Sequence, residues 1–242
     1  MSEPDRARGG PSPEPFQPLP RELLLLVGAI ALCEIVLQLA DRGILFDPSL
    51  RNRLYVVGAF WSPLLRGATP IFDLQPYAMF VSHAFLHGGF LHMAMNMAVL
   101  LGLGRFVGDR YGAGAVLPIF LAGAIAGGLA FGVLSSGRLP MVGASGAVFA
   151  FLGVWSVWDW RRLRAQGASV RPAVSRVLTL VGLNVVFFFG LSGMLAWEAH
   201  LGGFLAGLAC GAWLESRRDA RLRRARVEAR LARGAGSGGP AA

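Results

Sequence analysis

The sequence predicts an all-α membrane protein built as a bundle of six transmembrane helices. Of its 242 residues, 54% are hydrophobic and only 15% are charged, whereas a soluble domain carries about 25% charged residues. The mean hydropathy is +0.53, and the apolar residues fall in six blocks that approach or reach the roughly 17 to 25 residues needed to cross a bilayer. Helices satisfy their own backbone groups in lipid, so blocks of this length indicate transmembrane helices.

The six blocks follow one another without a large soluble insertion, which predicts one membrane domain over residues 22–216. Residues 1–21 are rich in proline and charge and lack the apolar core of a signal peptide, so we expect a disordered cytoplasmic tail. Residues 217–242 form an arginine-rich cytoplasmic tail, and residues 41–89 form a long outer loop. The predicted spans are 23–40, 90–106, 113–134, 142–158, 177–197 and 199–214.

The arginines predict the orientation of the chain in the membrane. All 23 basic residues are arginines; with the N-terminus inside, 18 of them fall in inner segments and 5 in outer segments. The positive-inside rule therefore predicts that both termini are cytoplasmic. The net charge of +9 is compatible with nucleic-acid binding, but the positions of the arginines indicate anionic membrane lipids instead, and no nucleic-acid partner is expected. The composition favours a bacterial inner membrane.

Four polar side chains interrupt the apolar blocks: His92, Asn96, Ser145 and His200. In the predicted orientation the second, fourth and sixth spans all begin at the outer face, and each of these residues lies in the first two turns of its span. At about 1.5 Å of rise per residue, all four fall in the outer third of the bilayer. Three helices thus bring polar groups to one depth, which indicates a functional site.

Ser145 lies in the tetrapeptide 143–146 (GASG), whose small residues allow another backbone to approach the hydroxyl closely. Taken alone, a serine among glycines in a membrane helix is more typical of packing than of catalysis. The catalytic interpretation of Ser145 therefore depends on what lies opposite it.

His200 lies one turn before a row of glycines that recur every four residues. Glycines at this spacing share one helical face, which predicts close backbone contact with another helix, and the fourth span with Gly146 and Gly153 is the expected partner. A buried imidazole without a partner costs about 1–3 kcal/mol, so His200 needs a polar neighbour even if it only helps packing. The glycines are Gly203, Gly207 and Gly211.

If Ser145 and His200 meet, they form a nucleophile and its base. A serine hydroxyl is a poor nucleophile until a base accepts its proton, and imidazole can do so near neutral pH. We find no acidic residue at the same depth as a clear third member, so we expect a dyad. Phe149, one turn below Ser145, is the candidate to hold the imidazole by stacking.

His92 and Asn96 are spaced i, i+4 and so share one face of the second helix. Their N–H groups, with the backbone N–H of Ser145, are candidate donors to an oxyanion, in an oxyanion or substrate site that includes Gly143. The alternative is an interhelical polar clamp, which is worth about 0.6 kcal/mol on average. The presence of Ser145 and His200 at the same depth favours the oxyanion role.

Three motifs in this order resemble those of rhomboid intramembrane proteases. Residues 87–92 (HGGFLH) precede Asn96, residues 143–146 (GASG) open the fourth span, and His200 opens the sixth with its glycines. The resemblance covers roughly residues 75–214. It implies a rhomboid-like six-helix bundle, and it implies a serine endopeptidase.

The resemblance also implies the roles of single residues and the class of substrate. Ser145 and His200 would be the catalytic dyad, and His92 and Asn96 would complete the oxyanion site, with no metal or cofactor. The substrates would be single-span membrane proteins, cut near their outer ends. We expect a substrate helix to approach past the fifth span, where residues 187–189 (FFF) form a candidate movable wall.

The sequence departs from the family pattern at two places. Many relatives carry a Trp-Arg pair in the first outer loop, where this chain reads QPYAM at residues 75–79, so the way in which this loop is anchored is open. Relatives often have tyrosine one turn after the nucleophile; here Phe149 keeps the ring and lacks the hydroxyl.

Two other functions compete with catalysis. A non-catalytic rhomboid-like protein that binds transmembrane segments would need the same groove but no dyad, so the presence of both Ser145 and His200 counts against it. A small transporter would show paired repeats and polar groups at the midplane, whereas the polar groups here gather at one face.

The remaining polar residues have structural interpretations. His83 and His87 are expected to brace the outer loop against the second helix; with His92 they form a weak candidate metal site that lacks an acidic or cysteine ligand. Three further polar residues of the spans are expected to pair with neighbouring helices: Glu34, Gln38 and Asn184.

Overall fold

The structure, a computed structural model, describes residues 18–135, 139–190 and 195–236. Within these ranges the chain forms eight α-helices and no β-strand, apart from one antiparallel bridge between Phe60 and Met141. The predicted all-α class is therefore confirmed. The helices are α1 (Arg21–Asp41), α2 (Leu50–Gly58), α3 (Gln75–Ser82), α4 (Phe90–Tyr111), α5 (Val116–Leu134), α6 (Ser145–Ala165), α7 (Arg171–Gly190) and α8 (Trp197–Gly236).

The six long helices, α1 and α4 to α8, form the membrane bundle. Among the described residues, three segments are long and apolar enough to cross a membrane, namely Arg21–Asp41, Phe90–Tyr111 and Ala113–Leu134, with mean hydropathies of 2.5, 1.5 and 2.1. α6 packs against α4, α5 and α8, so it contacts protein over much of its surface. Its sequence therefore does not need to be apolar throughout.

Several helix ends differ from the predicted spans. α6 begins at Ser145 rather than at residue 142, because Gly143 has a φ of +122° and belongs to the preceding turn. The fifth predicted span, 177–197, overlaps the start of α8, since Trp197 already begins α8, which is described as far as Gly236; α7 is described as far as Gly190, and residues 191–194 lie outside the described residues. Hydropathy stays high through this connection, so hydropathy alone could not locate the boundary. Of the predicted disordered tail, residues 1–17 lie outside the described residues, and Arg21 begins α1.

The long outer loop is folded against the bundle. Phe60 is fully buried, and its ring packs edge-on against Phe80 and Phe131 at centroid distances of 5.0 and 6.0 Å. The backbones of Phe60 and Met141 exchange two hydrogen bonds, which tie the loop to the segment that precedes α6. Tyr77 in the same loop is, by contrast, 74% exposed.

A buried ion pair anchors the outer loop to α1. Arg51 of α2 donates to both carboxylate oxygens of Glu34 at 3.0 Å, to Asp41 at 2.8 Å and to the His87 carbonyl at 2.7 Å. The Glu34 side chain has no solvent exposure, and that of Arg51 has 14%. The pair is bidentate, which is the strong geometry for an arginine and a carboxylate. Arg51 therefore fixes a loop that lacks the Trp-Arg pair of many relatives.

α6 and α8 approach each other at backbone distance. A Cβ atom at Gly203 would lie 1.9 Å from the Gly146 carbonyl oxygen, and one at Gly207 would lie 2.1 Å from that of Ala150. On the opposite side of the contact, a Cβ at Gly153 would lie 2.5 Å from the Phe204 carbonyl oxygen. Only hydrogen fits at these three positions, so the glycines set the separation of the two helices.

Gly207→Ala is expected to lower the free energy of unfolding by about 1–3 kcal/mol or more, because the added methyl group forces α6 and α8 apart. The matched control is Gly102→Ala, also in the middle of a long helix, where a Cβ meets nothing within 4 Å. That control should be neutral or stabilising by up to about 1 kcal/mol. Equilibrium unfolding in mixed detergent and SDS measures both. Equal effects of the two substitutions would contradict the close contact.

Arg51→Gln is expected to destabilise the protein by about 3–5 kcal/mol, because it leaves the Glu34 carboxylate buried without its ion-pair partner. The matched control is Arg53→Gln on the same short helix, whose ion pair with Asp47 is exposed on both sides; it should cause no measurable loss. The same unfolding measurement applies. The anchoring role of Arg51 is wrong if the two variants unfold alike.

Candidate active site

Ser145 is the first residue of α6 and follows a turn that the outer loop holds from behind. The backbone N–H of Gly143 donates to the His83 carbonyl at 2.9 Å, and the N–H of Ala144 donates to Nε2 of His87 at 3.3 Å. The N–H groups of the first helical turn have no partner within the helix, so those at the start of α6 point out of its N-terminus. This end of the helix is suited to binding negative charge.

His200 lies in the first turn of α8, and its Nε2 atom lies 2.9 Å from Oγ of Ser145. Both residues lie at the N-terminal ends of helices that the glycines hold at backbone distance. His200 is 8% exposed, so its imidazole is largely shielded from solvent. A nucleophile and a base within hydrogen-bond reach are the requirement for serine activation.

Phe149 lies flat against the imidazole of His200. The two ring centroids are 4.3 Å apart, and the ring planes differ by 5°. Phe149 follows Ser145 by one helical turn, so the same helix supplies the hydroxyl and the surface that orients its base. A stacked ring restricts rotation of the imidazole without occupying either nitrogen.

Asn184 of α7 also contacts His200, and the sequence analysis did not include it in the site. Its Oδ1 atom lies 2.5 Å from Nδ1 of His200. We expected Asn184 to pair with a neighbouring helix, and its partner turns out to be the candidate base itself. The signal in the sequence was a polar residue within an apolar span, but the predicted end of that span set Asn184 too far from the outer face.

His92 packs over the turn before Ser145. A Cβ atom at Gly143 would lie 2.8 Å from Cε1 of the His92 ring, so this position requires glycine for space as well as for its φ of +122°. Asn96 is 7% exposed, and its Nδ2 donates to the His92 carbonyl at 3.0 Å. The structure thus brings His92 and Gly143 together beside Ser145, with Asn96 one turn below His92.

His83 and His87 brace the outer loop against the turn before α6, and His87 also packs edge-on against His92 of α4, as expected, at a centroid distance of 5.1 Å. The His83 carbonyl accepts from Gly143, and Nδ1 of His83 lies 2.7 Å from the Met79 carbonyl. Burial lowers the pKa of His83 to about 4 and, together with the nearby His92, lowers that of His87 to about 3. A neutral His87 is required here, because only an unprotonated Nε2 can accept from the Ala144 N–H.

His83, His87 and His92 are the residues of the weak candidate metal site. Across residues 18–135, 139–190 and 195–236, no group of three or more histidine, cysteine, aspartate or glutamate side chains is arranged to hold a metal ion.

Comparison with known proteins identifies relatives of the chain. It is 33% identical over 129 residues to the rhomboid protease GluP of Bacillus subtilis, a match that covers 53% of this chain and 24% of that protein. It is 31% identical over 142 residues to the rhomboid-type serine protease 2 of Emericella nidulans (54% and 26% covered). It is 28% identical over 189 residues to the rhomboid protease GlpG of Serratia proteamaculans (78% and 62% covered).

The chain thus spans about a quarter of the length of the first two relatives and less than two thirds of the third. A family model described as the rhomboid domain matches residues 75–217. That match takes in α3 to α7, the membrane part of α8 and all the motif residues at 87–92, 143–146 and 200. Because the model covers more than half of the chain, the resemblance is confirmed, and the chain belongs to the rhomboid family.

Proposed function

We propose that this protein is an intramembrane serine endopeptidase that uses a dyad of Ser145 and His200. The observation that carries the proposal is the 2.9 Å separation of Ser145 Oγ and His200 Nε2, with the imidazole stacked on Phe149. Relatives named as rhomboid proteases and serine proteases support the same class of activity.

In the proposed reaction, Ser145 Oγ attacks the scissile carbonyl while Nε2 of His200 accepts its proton. The tetrahedral intermediate collapses when the imidazolium returns this proton to the leaving amine. A water molecule, deprotonated by the same imidazole, then hydrolyses the acyl-enzyme and regenerates Ser145. The water would enter from the outer side along residues 135–143, of which 136–138 lie outside the described residues.

The oxyanion of the intermediate would be bound at the N-terminus of α6. The Ser145 backbone N–H is one donor, and the start of the helix contributes positive potential. Asn96 has a second N–H besides the one given to the His92 carbonyl, because an amide nitrogen carries two. The ring of His92 over Gly143 is the third candidate donor.

The proposed substrates are single-span membrane proteins cut near the outer face. Ser145 is at the outer end of α6, so the scissile bond must reach that level of the bilayer. A helical substrate hides its carbonyls in hydrogen bonds, and residues that weaken a helix near the cleavage site should therefore favour cleavage. We propose that the substrate approaches past α7; the side chains of residues 187–189, the candidate movable wall, lie outside the described residues.

Under this proposal both termini are cytoplasmic and the membrane is a bacterial inner membrane. The arginines at the end of α8 would then face anionic lipid head groups. Arg217 lies 4.3 Å over the ring of Trp213, a pairing suited to a membrane interface.

Ser145→Ala is expected to abolish cleavage of a single-span test substrate by the protein purified in detergent, because the nucleophile is lost. The wild-type protein should cut with EDTA present. Ser156→Ala is the matched control: its hydroxyl lies on the same helix and donates to the Leu152 carbonyl, away from the site. If wild type and Ser145→Ala both bind the substrate and neither cuts it, the result contradicts the protease proposal and favours the non-catalytic binding function.

Asn96→Leu is expected to lower kcat by about 100- to 1,000-fold with little change in KM, because the lost N–H stabilises the transition state and not the bound substrate. Met95→Leu on the same helix is the control, since Met95 is 57% exposed and points away from the bundle. Initial rates over a range of substrate concentrations give both parameters. An unchanged kcat would assign Asn96 to packing alone.

A further inference from the structure

The side-chain amide of Asn184 is fixed by its own helix. Its Nδ2 donates to the Leu180 carbonyl at 2.9 Å, one turn earlier in α7. A carbonyl can only accept, so the amide cannot be turned round without facing oxygen to oxygen. The group that Asn184 presents to His200 is therefore its Oδ1, an acceptor.

This amide orientation determines the protonation of the imidazole. The Oδ1 of Asn184 lies 2.5 Å from Nδ1 of His200, so Nδ1 must carry the hydrogen. In a neutral imidazole the other nitrogen, Nε2, is then unprotonated. Nε2 is the atom 2.9 Å from Ser145 Oγ, and it is free to accept the hydroxyl proton.

We infer that Asn184 is a positioning residue that holds His200 in the tautomer in which Nε2 is the base. The inference rests on the proposed serine protease function and deepens it, since the dyad becomes a chain of three side chains from three helices. Phe149 and Asn184 constrain two different properties of the imidazole, its orientation and its tautomer. The stacked ring fixes its plane, and the amide fixes which nitrogen carries the proton.

The contact also links α7 to the catalytic centre. Near its inner end α7 is tied to α6 by the ion pair of Arg176 and Asp159, whose carboxylate is buried. Beside that ion pair, an apolar cavity of about 340 Å³, bordered by Asp159 and lined on the α7 side by Val174, Val177 and Leu178, lies between α7 and the helices α6 and α8. Asn184 supplies the hydrogen-bond partner of Nδ1 of His200. A displacement of the part of α7 that carries Asn184 would therefore change that partner.

Kinetics of three variants test the inference. Asn184→Leu keeps the volume and removes the acceptor, and kcat should fall about 5- to 150-fold with KM nearly unchanged, the factor expected when one buried N–H loses its partner. Asn184→Asp keeps an acceptor of the same shape toward Nδ1, and in its protonated form the second oxygen can still donate to the Leu180 carbonyl; in that form it should recover most of the loss. Thr179→Val is the matched control, because Thr179 makes the same bond to a carbonyl one turn earlier on α7 and is exposed.

Nitrogen NMR of the imidazoles provides a readout that a structural role alone would not change. The chain has four histidines, so ¹⁵N-histidine labelling, with a His200→Ala sample for assignment, isolates the signals of His200. In the neutral wild-type protein Nδ1 should be protonated and Nε2 bare. In Asn184→Leu the two tautomers should mix, whereas Thr179→Val should leave the spectrum unchanged.

The outcomes separate this inference from the proposed function. A wild-type protein that does not cut its substrate contradicts the proposed function, and the NMR arm still tests the role of Asn184. The inference is overturned if wild-type His200 carries its proton on Nε2, or if Asn184→Leu cuts as fast as wild type. If Asn184→Leu does not fold, the wild-type nitrogen spectrum decides, and a proton on Nε2 of His200 overturns the inference.

Discussion

The backbone contact between α6 and α8 is the constraint on which the rest of the site depends. Gly203 and Gly207 allow α8 to lie so close to α6 that a single methyl group would overlap a carbonyl oxygen. Ser145 and His200 lie at the N-terminal ends of these two helices. A short serine side chain cannot span a wider gap, so a hydrogen bond of 2.9 Å between them requires helices at this separation.

Partners from the outer loop and its neighbours offset the cost of burying polar groups beside this contact. In a low-dielectric interior an unpaired polar group is costly, so a buried group is stabilised when it meets a partner. His87 accepts from the Ala144 backbone, and Arg51 satisfies both Glu34 and the His87 carbonyl. The outer loop thus links α1, through Arg51 and His87, to the turn that presents Ser145. Its folding is part of the active site rather than a cover over it.

Much of this could be predicted from sequence because it follows from composition and depth. The helical class follows from apolar blocks, and the meeting of Ser145 with His200 follows from polar residues at one level on spans with a shared orientation. The role of Asn184 could not be predicted. The predicted fifth span ends at residue 197, which sets Asn184 about 20 Å from the end of that span, whereas Trp197 already belongs to α8. The Arg51–Glu34 pair was also missed, because nothing local marks two residues 17 positions apart as neighbours.

The site therefore combines two kinds of constraint. The distance between nucleophile and base is set by backbone packing of α6 on α8, which has no alternative arrangement because only hydrogen fits at the glycines. The protonation of the base is set by one side chain on α7, a helix that an ion pair and a polar contact hold across an apolar cavity. Packed interfaces between backbones resist displacement, whereas a single hydrogen bond is worth only about 1 kcal/mol. A substrate helix that approaches at α7 would thus meet the part of the site that can move. The distance between Ser145 and His200 would stay the same while α7 moves.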